Sequence, residues 1–226
     1  MCGRYALYST NELEQRFHTE PPTFALRDSY NIAPGQTQPV ILTQDDGRVL
    51  ANMKWGLVPS WARDPHIGYK MINARAEGLF DKPSWRGPAA HHRCLIPASG
   101  FFEWRPATAN RPKQPFFVRP TDQTQFAFAG LYSHWHPGET DELTTYTIAT
   151  TMPNRDMAAI HDRMPVILHP DDWDIWLDPK LTDRELISEL LRPYDDGQLT
   201  LYVVSSDVNA VQHNSSYLVQ PIDEPN

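Results

Sequence analysis

The chain has 226 residues, a formal net charge of −8, 40% hydrophobic and 21% charged residues, and two cysteines. That is enough chain for one large domain or two small ones with ample core, and no apolar run approaches the ~20 residues of a membrane span. Cys2 and Cys94 make neither a disulfide framework nor a zinc site, and the N-terminus lacks the basic and apolar regions of a secretory signal, so a reducing compartment, cytosol or nucleus, is expected.

In chain order, "STNELEQRF" predicts a helix, with Ser9 and Glu12 as a capping box and Leu13 and Phe17 on one face. "RVLANMKW", "RCLIPA", "QPFFV", "FAFAGLY" and "LTTYTIATT" are aromatic and β-branched runs bounded by Pro, Gly and Asp, and predict strands. "MPNRDMAAIHDRMP" predicts a helix with His161 at its C-terminal end, and "HPDDWDIWLDP" a short one. "LTDRELISELLRP" predicts the clearest helix, capped by Thr182, with Glu185 closing the box, Leu186, Ile187, Leu190 and Leu191 as buried stripe, and Pro193 as its end. "TLYVVSS" predicts a last strand. The 21 prolines are spread through the chain, with no repeat and no βαβ rhythm. The expectation is an α+β fold: one compact domain over residues 1–226 with a bent, barrel-like, mostly antiparallel sheet and a few flanking helices.

Cys2 stands directly after the initiator methionine. Either it is an incidental small residue on a terminal strand, or loss of Met1 makes it a 1,2-aminothiol. The amine and thiol then have reference pKa values of ~8 and ~8.5, and both are partly deprotonated near neutrality. Glu103 in "GFFEWR" would share a strand face with Phe101, opposite Phe102 and Trp104. It is either a solvent-facing strand residue or a carboxylate whose apolar setting raises its proton affinity for acid/base work. His161 in "AAIHDRMPVIL" has the residue type most used for proton transfer. His91, His92, His134 and His136 lie in polar stretches and are expected at the surface. No metal-ligand spacing is evident.

The net charge hides an asymmetry. Residues 48–119 carry 12 Lys/Arg against 4 Asp/Glu, while residues 120–226 carry 5 against 18. A local basic face that binds phosphate is one reading, and arginines scattered over unrelated faces the other. "WGLVPSWARDPHIGYKMINARAEG" interleaves Trp55 and Trp61 with Lys70, Asn73 and Arg75. Stacking rings beside cations suit a single nucleic-acid strand, although tryptophans also serve as ordinary core. "SYNIAPGQ" sets Asn31, Pro34 and Gly35 in a rigid turn.

Taken in order, "MCGRY", "YNIAPGQ", "WGLVPSW", "INARAE", "RCLIPASGFFEW", "QPFFV", "AGLY" and "IHDRMPVIL" resemble the abasic-site processing family, the SOS response-associated peptidases. The resemblance continues to "VSSDVNAVQHNSSYLVQP" and covers nearly the whole chain. It implies loss of Met1 and capture, by Cys2, of the ring-opened aldehyde of an abasic deoxyribose in single-stranded DNA. Amine and thiol close on one carbon as a thiazolidine, a DNA–protein crosslink that shields the lesion. Strand cleavage by a lyase side reaction and reversal of the crosslink are implied as well.

The same resemblance implies Cys2, Asn73, Glu103 and His161 as the catalytic residues. Asn73 would hold the amine or imine, Glu103 would move protons, and His161 would act near the sugar hydroxyl. Arg4 and Arg75 would bind phosphates, and Trp61, Trp104 and the turn of Asn31 and Pro34 would shape the strand. Lys82 or Arg86 would stand in for an arginine that "EGLFDKPSWRGP" lacks. No metal, cofactor or membrane is implied. The partner is single-stranded DNA with an abasic site, bound by a monomer in the cytoplasm, at the nucleoid in a bacterium. Two rival readings are an N-terminal-nucleophile cysteine amidohydrolase or peptidase, and a non-covalent single-strand binding module whose affinity is salt-sensitive.

Overall fold

The computed structural model describes residues 2–45, 47–109 and 112–223. The aromatic and β-branched runs form strands: β1 (Tyr5–Leu7), β2 (Ser29–Ile32), β3 (Thr37–Gln44), β4 (Gly47–Trp55), β5 (Asn73–Arg75), β6 (Arg93–Ala98), β7 (Gly100–Arg105), β8 (Gln114–Pro120), β9 (Phe126–Trp135), β10 (Leu143–Thr151), β11 (Met164–Pro165), β12 (Ile167–Leu168) and β13 (Leu199–Val203). The helices are short: α1 (Leu13–Phe17), α2 (Arg86–His91), α3 (Arg155–Ala158), α4 (Trp173–Leu177) and α5 (Arg184–Glu189). No helix among the described residues is long and apolar enough to cross a membrane.

The expected α+β fold with a barrel-like sheet is present. Strands β4, β3, β6 and β9 pair in succession, and β10 pairs with both β9 and β4, which closes a five-stranded barrel. Closure leaves no long free edge. The barrel is mixed, because β10 runs parallel to β4 and to β5. A second sheet, ordered β13-β8-β7-β1-β2, is antiparallel throughout.

Rings hold the two sheets together. Tyr5 of β1 meets Trp55 edge-on at 5.3 Å and Phe128 at 5.9 Å, and Phe101 of β7 meets Phe128 at 5.9 Å. The hydroxyls of Tyr5 and Tyr146 satisfy each other at 2.7 Å, so two phenols are buried with no polar atom stranded. Phe102 faces the other way, into a smaller cluster with Phe117, Val204, Val208 and Leu218. The strand's period of two therefore splits β7 between two cores.

Four local expectations are corrected. Ser9 adopts φ 56° and caps nothing. Thr10 instead donates its N–H and hydroxyl to Asp28 Oδ1 at 3.0 and 2.9 Å, and a 3-10 turn, Thr10–Glu12, precedes α1. A carboxylate from a distant segment thus displaces the local capping box. The cap of α5 is Asp183, which accepts from Glu185 N–H at 2.9 Å and Leu186 N–H at 3.3 Å, not Thr182. Ile187, Leu190 and Leu191 are buried as expected, whereas Leu186 is 48% exposed. Its neighbour Ile187 takes the inward position, and one residue is about 100° of helix. His92 and His134, expected at the surface, are half-buried against Tyr132.

Candidate active site

Pairing of β1 with β7 fixes the N-terminus. Tyr5 lies opposite Phe101, Ala6 opposite Gly100, and Phe102 N–H donates to Arg4 O at 2.9 Å. Continued along this register, the chain carries Cys2 beside the far end of β7. Cys2 is fully buried with the main core. Its thiol donates weakly to Arg4 O at 3.9 Å. Burial, with the negative charge of Glu103 adding to it, pushes the thiol well above its ordinary range.

Asn73 comes from β5, held parallel beside β10 with Asn73 opposite Ile148. Its Nδ2 donates to the Cys2 carbonyl oxygen at 2.8 Å. Its Oδ1 is buried and has no hydrogen-bond partner among the described residues.

Glu103 is 2% exposed, on the Phe101 face of β7. Of the two readings, solvent-facing strand residue and buried acid/base group, its position is the second. Burial pushes its carboxyl above the ordinary 4.5, and the positive charge of His161 acts in the opposite direction. His161 follows α3, which ends earlier than the sequence suggests, and its N–H still donates to Met157 O at 3.0 Å. The ring Nδ1 lies 2.9 Å from Asp162 Oδ1 and 3.0 Å from the Arg163 N–H. With the ring proton on Nε2, Nδ1 accepts from the backbone; with it on Nδ1, the ring donates to Asp162. Glu103, Trp104, Lys113 and His161 line one cavity of about 480 Å³.

Cys2, Asn73, Glu103 and His161, far apart in sequence, are therefore one constellation. The other predicted residues divide. Trp104 is at the cavity, its indole N–H donating to Asn209 Oδ1 at 2.9 Å and its ring 5.5 Å from the Lys113 ammonium. Arg75 ends β5 and is exposed, and Pro34 lies in the turn between β2 and β3. Trp61 is 58% exposed and lines a different cavity.

Arg4 and Asn31 face inward. Arg4 Nη1 donates to Asn31 Oδ1 and to Val208 O, both at 2.7 Å. Asn31 Nδ2 donates to the carbonyls of Val208, Ala210 and His213 at 3.3, 3.1 and 2.7 Å. The pair pins the 3-10 turn Ser206–Asn209 over the second sheet.

Two neighbours of the site escape sequence reasoning. Lys113 reaches it because β8 pairs with β7, placing Pro115 opposite Trp104. Arg163 forms a forked pair with Glu77 and donates to Thr150 O at 2.7 Å, tying the His161 segment to β10. Only "IHDRMP", where Arg163 follows His161, hints at the latter. One group with metal-ligand spacing occurs among the described residues, His136, Glu139 and Asp141; Glu139 and Asp141 are exposed, and His136 Nδ1 lies 3.1 Å from Asp141 Oδ2, an ordinary surface hydrogen bond.

With this geometry in place, the relatives are informative. The family model described as SOS response associated peptidase (SRAP) matches residues 1–211. The abasic site processing protein YoqW of Bacillus subtilis is 44% identical over 97% of this chain and 99% of its own. The abasic site processing protein YMR114C of Saccharomyces cerevisiae is 32% identical over 98% of this chain and 68% of its own. A crystal structure of a protein from Bacteroides thetaiotaomicron superposes with a TM-score of 0.87 at 29% identity, over 98% of this chain and 100% of that one. This chain belongs to the SOS response associated peptidase family.

Proposed function

We propose that the protein acts on abasic sites in single-stranded DNA and captures the ring-opened sugar on Cys2 after hydrolysis of the Met1–Cys2 bond. The observation that carries this reading is the convergence on the N-terminal cysteine of an amide that holds its carbonyl, Asn73, and a buried carboxyl whose charge acts on its thiol, Glu103. The names of the relatives, abasic site processing proteins, agree with it.

The chemistry balances with these groups alone. The freed α-amine adds to the C1′ aldehyde, and loss of water leaves an imine. The Cys2 sulfur adds to the imine carbon while its proton passes to Glu103 and the nitrogen takes one up. The product is a five-membered thiazolidine. Ring closure is intramolecular, with the rate advantage of a held reactant. Burial keeps the thiol neutral, so a base is required, and a carboxyl with raised proton affinity is better matched to neutral pH than an ordinary one. The buried Asn73 Oδ1 is an acceptor awaiting an N–H, and the amine or the protonated imine supplies one.

His161 serves as second acid/base at the sugar hydroxyl. Elimination of the 3′ phosphate from the imine gives a lyase side reaction, and the same proton transfers run backwards give reversal. Arg75 favours a flanking phosphate, and Trp104, Trp61 and Pro34 guide the strand, while Arg4 and Asn31 hold the turn Ser206–Asn209 from within. The working unit is a monomer of one domain over residues 1–226, in the cytoplasm and at the nucleoid in a bacterium.

The test is a denaturing gel with intact-mass analysis on a single-stranded oligonucleotide carrying one abasic site. An adduct that survives heat and denaturant in wild type and not in Cys2→Ala is expected. No adduct from protein whose mass shows Met1 removed would overturn the reading.

A further inference from the structure

Glu77 lies outside the cavity of Glu103 and His161 and lines another, of about 400 Å³, with Phe80, Arg184 and Leu191. It still belongs to the frame of the site. It follows β5, the strand of Asn73, and its forked partner Arg163 stands two residues after His161. Between them Arg163 Nη2 donates to Thr150 O at 2.7 Å. Thr150 of β10 lies opposite Arg75 of β5 and Pro165 of β11. One guanidinium therefore sits where the segments of Asn73 and His161 meet on β10.

The clamp depends on Glu77. Arg163 is 7% exposed. Its Nε is buried and has no hydrogen-bond partner among the described residues. Nη1 reaches Glu77 Oε1 and, at 3.5 Å, the Met152 thioether, a weak acceptor. The hydrogen bond from Arg163 holds the Glu77 carboxyl below its ordinary range, so the pair is ionised at neutral pH. Without that carboxylate a buried cation would lose its counter-charge and one arm of its fork, and would have to turn toward water. A planar fork held at both arms also fixes the residue that carries it, backbone included.

That backbone is what His161 meets. The Arg163 N–H lies 3.0 Å from His161 Nδ1, and Asp162 Oδ1 lies 2.9 Å from the same nitrogen. The two neighbours ask for opposite tautomers. An N–H donor makes Nδ1 an acceptor and puts the ring proton on Nε2, whereas a carboxylate acceptor puts it on Nδ1. The Asp162 side chain is 90% exposed, so water competes for it and screens its charge. The Arg163 N–H belongs to a residue clamped at its other end, and keeps its place.

We infer that Glu77 is a positioning residue: through Arg163 it holds His161 as the tautomer with its proton on Nε2, so that the ring meets the sugar hydroxyl as a hydrogen-bond donor. The inference rests on the reading of His161 above, and adds which nitrogen carries the proton and what decides it.

The experiment is long-range proton–nitrogen NMR correlation on isotope-labelled protein at mildly alkaline pH, with the His161 signals assigned by their loss in His161→Gln. Wild type should carry its proton on Nε2. Glu77→Ala, and Glu77→Gln, which keeps the shape of the side chain, should move the population toward Nδ1–H. Adding Asp162→Asn should bring it back, because the competing carboxylate is gone. Adduct formation with the abasic strand should slow roughly 10- to 100-fold in Glu77→Ala and recover in the double variant. A merely structural loss is not repaired by changing an exposed side chain. Affinity for a strand with an unreactive tetrahydrofuran at the lesion, read by fluorescence anisotropy, should be unchanged. An Nδ1–H in wild type, or a tautomer unmoved in both Glu77 variants, overturns the inference, as does a rate loss matched by an equal loss of affinity. If the tautomer shifts as stated while wild type forms no adduct, the hold on the tautomer stands and the crosslinking reading alone fails.

Discussion

The Asn73 side chain donates to the carbonyl oxygen of Cys2 at 2.8 Å while its own Oδ1 stays buried and unpartnered among the described residues. One amide therefore fixes the Cys2 backbone and keeps an acceptor in reserve. Asn73→Ala should slow adduct formation by about 5- to 30-fold, the equivalent of ~1–2 kcal/mol. Stability should change less, because the substitution also removes the stranded oxygen. Single-turnover rates beside thermal melts measure the split.

Glu103→Gln keeps the shape of the side chain and removes the titration. The rate of adduct formation should fall by ~10²–10⁴, as for loss of a positioned acid/base. In wild type the rate should rise with pH through an apparent pKa above the ordinary 4.5, a rise that Gln abolishes. The same shift has a stability sign. The folded chain holds this proton more tightly than the unfolded chain, so the contribution is complete below 4.5 and disappears as pH rises through the higher folded value. Melts of wild type and Glu103→Gln should converge below that pH, with the variant the more stable near neutrality.

Arg93 is buried, and every hydrogen bond of its guanidinium among the described residues ends on a carbonyl: Trp176, Ala89 and Ala90 at 2.7, 2.7 and 2.8 Å, Leu181 at 2.9 Å, and Asp178. It ties α2 to the segment after α4. Arg93→Met should cost about 3 kcal/mol in urea unfolding, because carbonyls lose their donors away from water. Adduct formation at low temperature should be unchanged, since Arg93 is not at the site.

Gly100 starts β7 under the ring of Phe117, where a Cβ would lie 2.1 Å from the ring's Cζ. Gly100→Ala should destabilise by ~1–3 kcal/mol through overpacking. It should also slow adduct formation, because β7 carries Glu103. Phe117→Leu in the same chain should recover part of both, which a merely local backbone effect would not allow.

Arg4 and Asn31 hold the turn Ser206–Asn209 through Val208 O. Arg4→Ala and Asn31→Ala should raise amide hydrogen exchange across residues 206–213 and leave the barrel strands protected. If that exchange is unmoved while DNA affinity falls, the two residues act on the strand rather than on the turn.

Much of this protein is legible in its sequence, because strand formation and burial are local matters of composition and period. "FAFAGLY" and "LTTYTIATT" form barrel strands, and the alternation in "GFFEWR" puts Glu103 with Phe101. Capping was less legible: the caps at Thr10 and Asp183 depend on which carboxylate reaches the free N–H groups first, and Asp28 arrives from another segment. The site residues Cys2, Asn73, Glu103 and His161 were named by residue type and resemblance. That they share one place follows from β1 pairing with β7 and β5 lying along β10. Only the tertiary structure decided that Asn31 and Arg4 spend their hydrogen bonds inward, that Trp61 faces a separate cavity, that Lys113 lines the cavity of Glu103 and His161, and that Arg163 ties the His161 segment to β10. Composition and period fix which face of a strand is buried; which strand lies beside it is set by contacts between residues distant in the chain, and no local pattern records them.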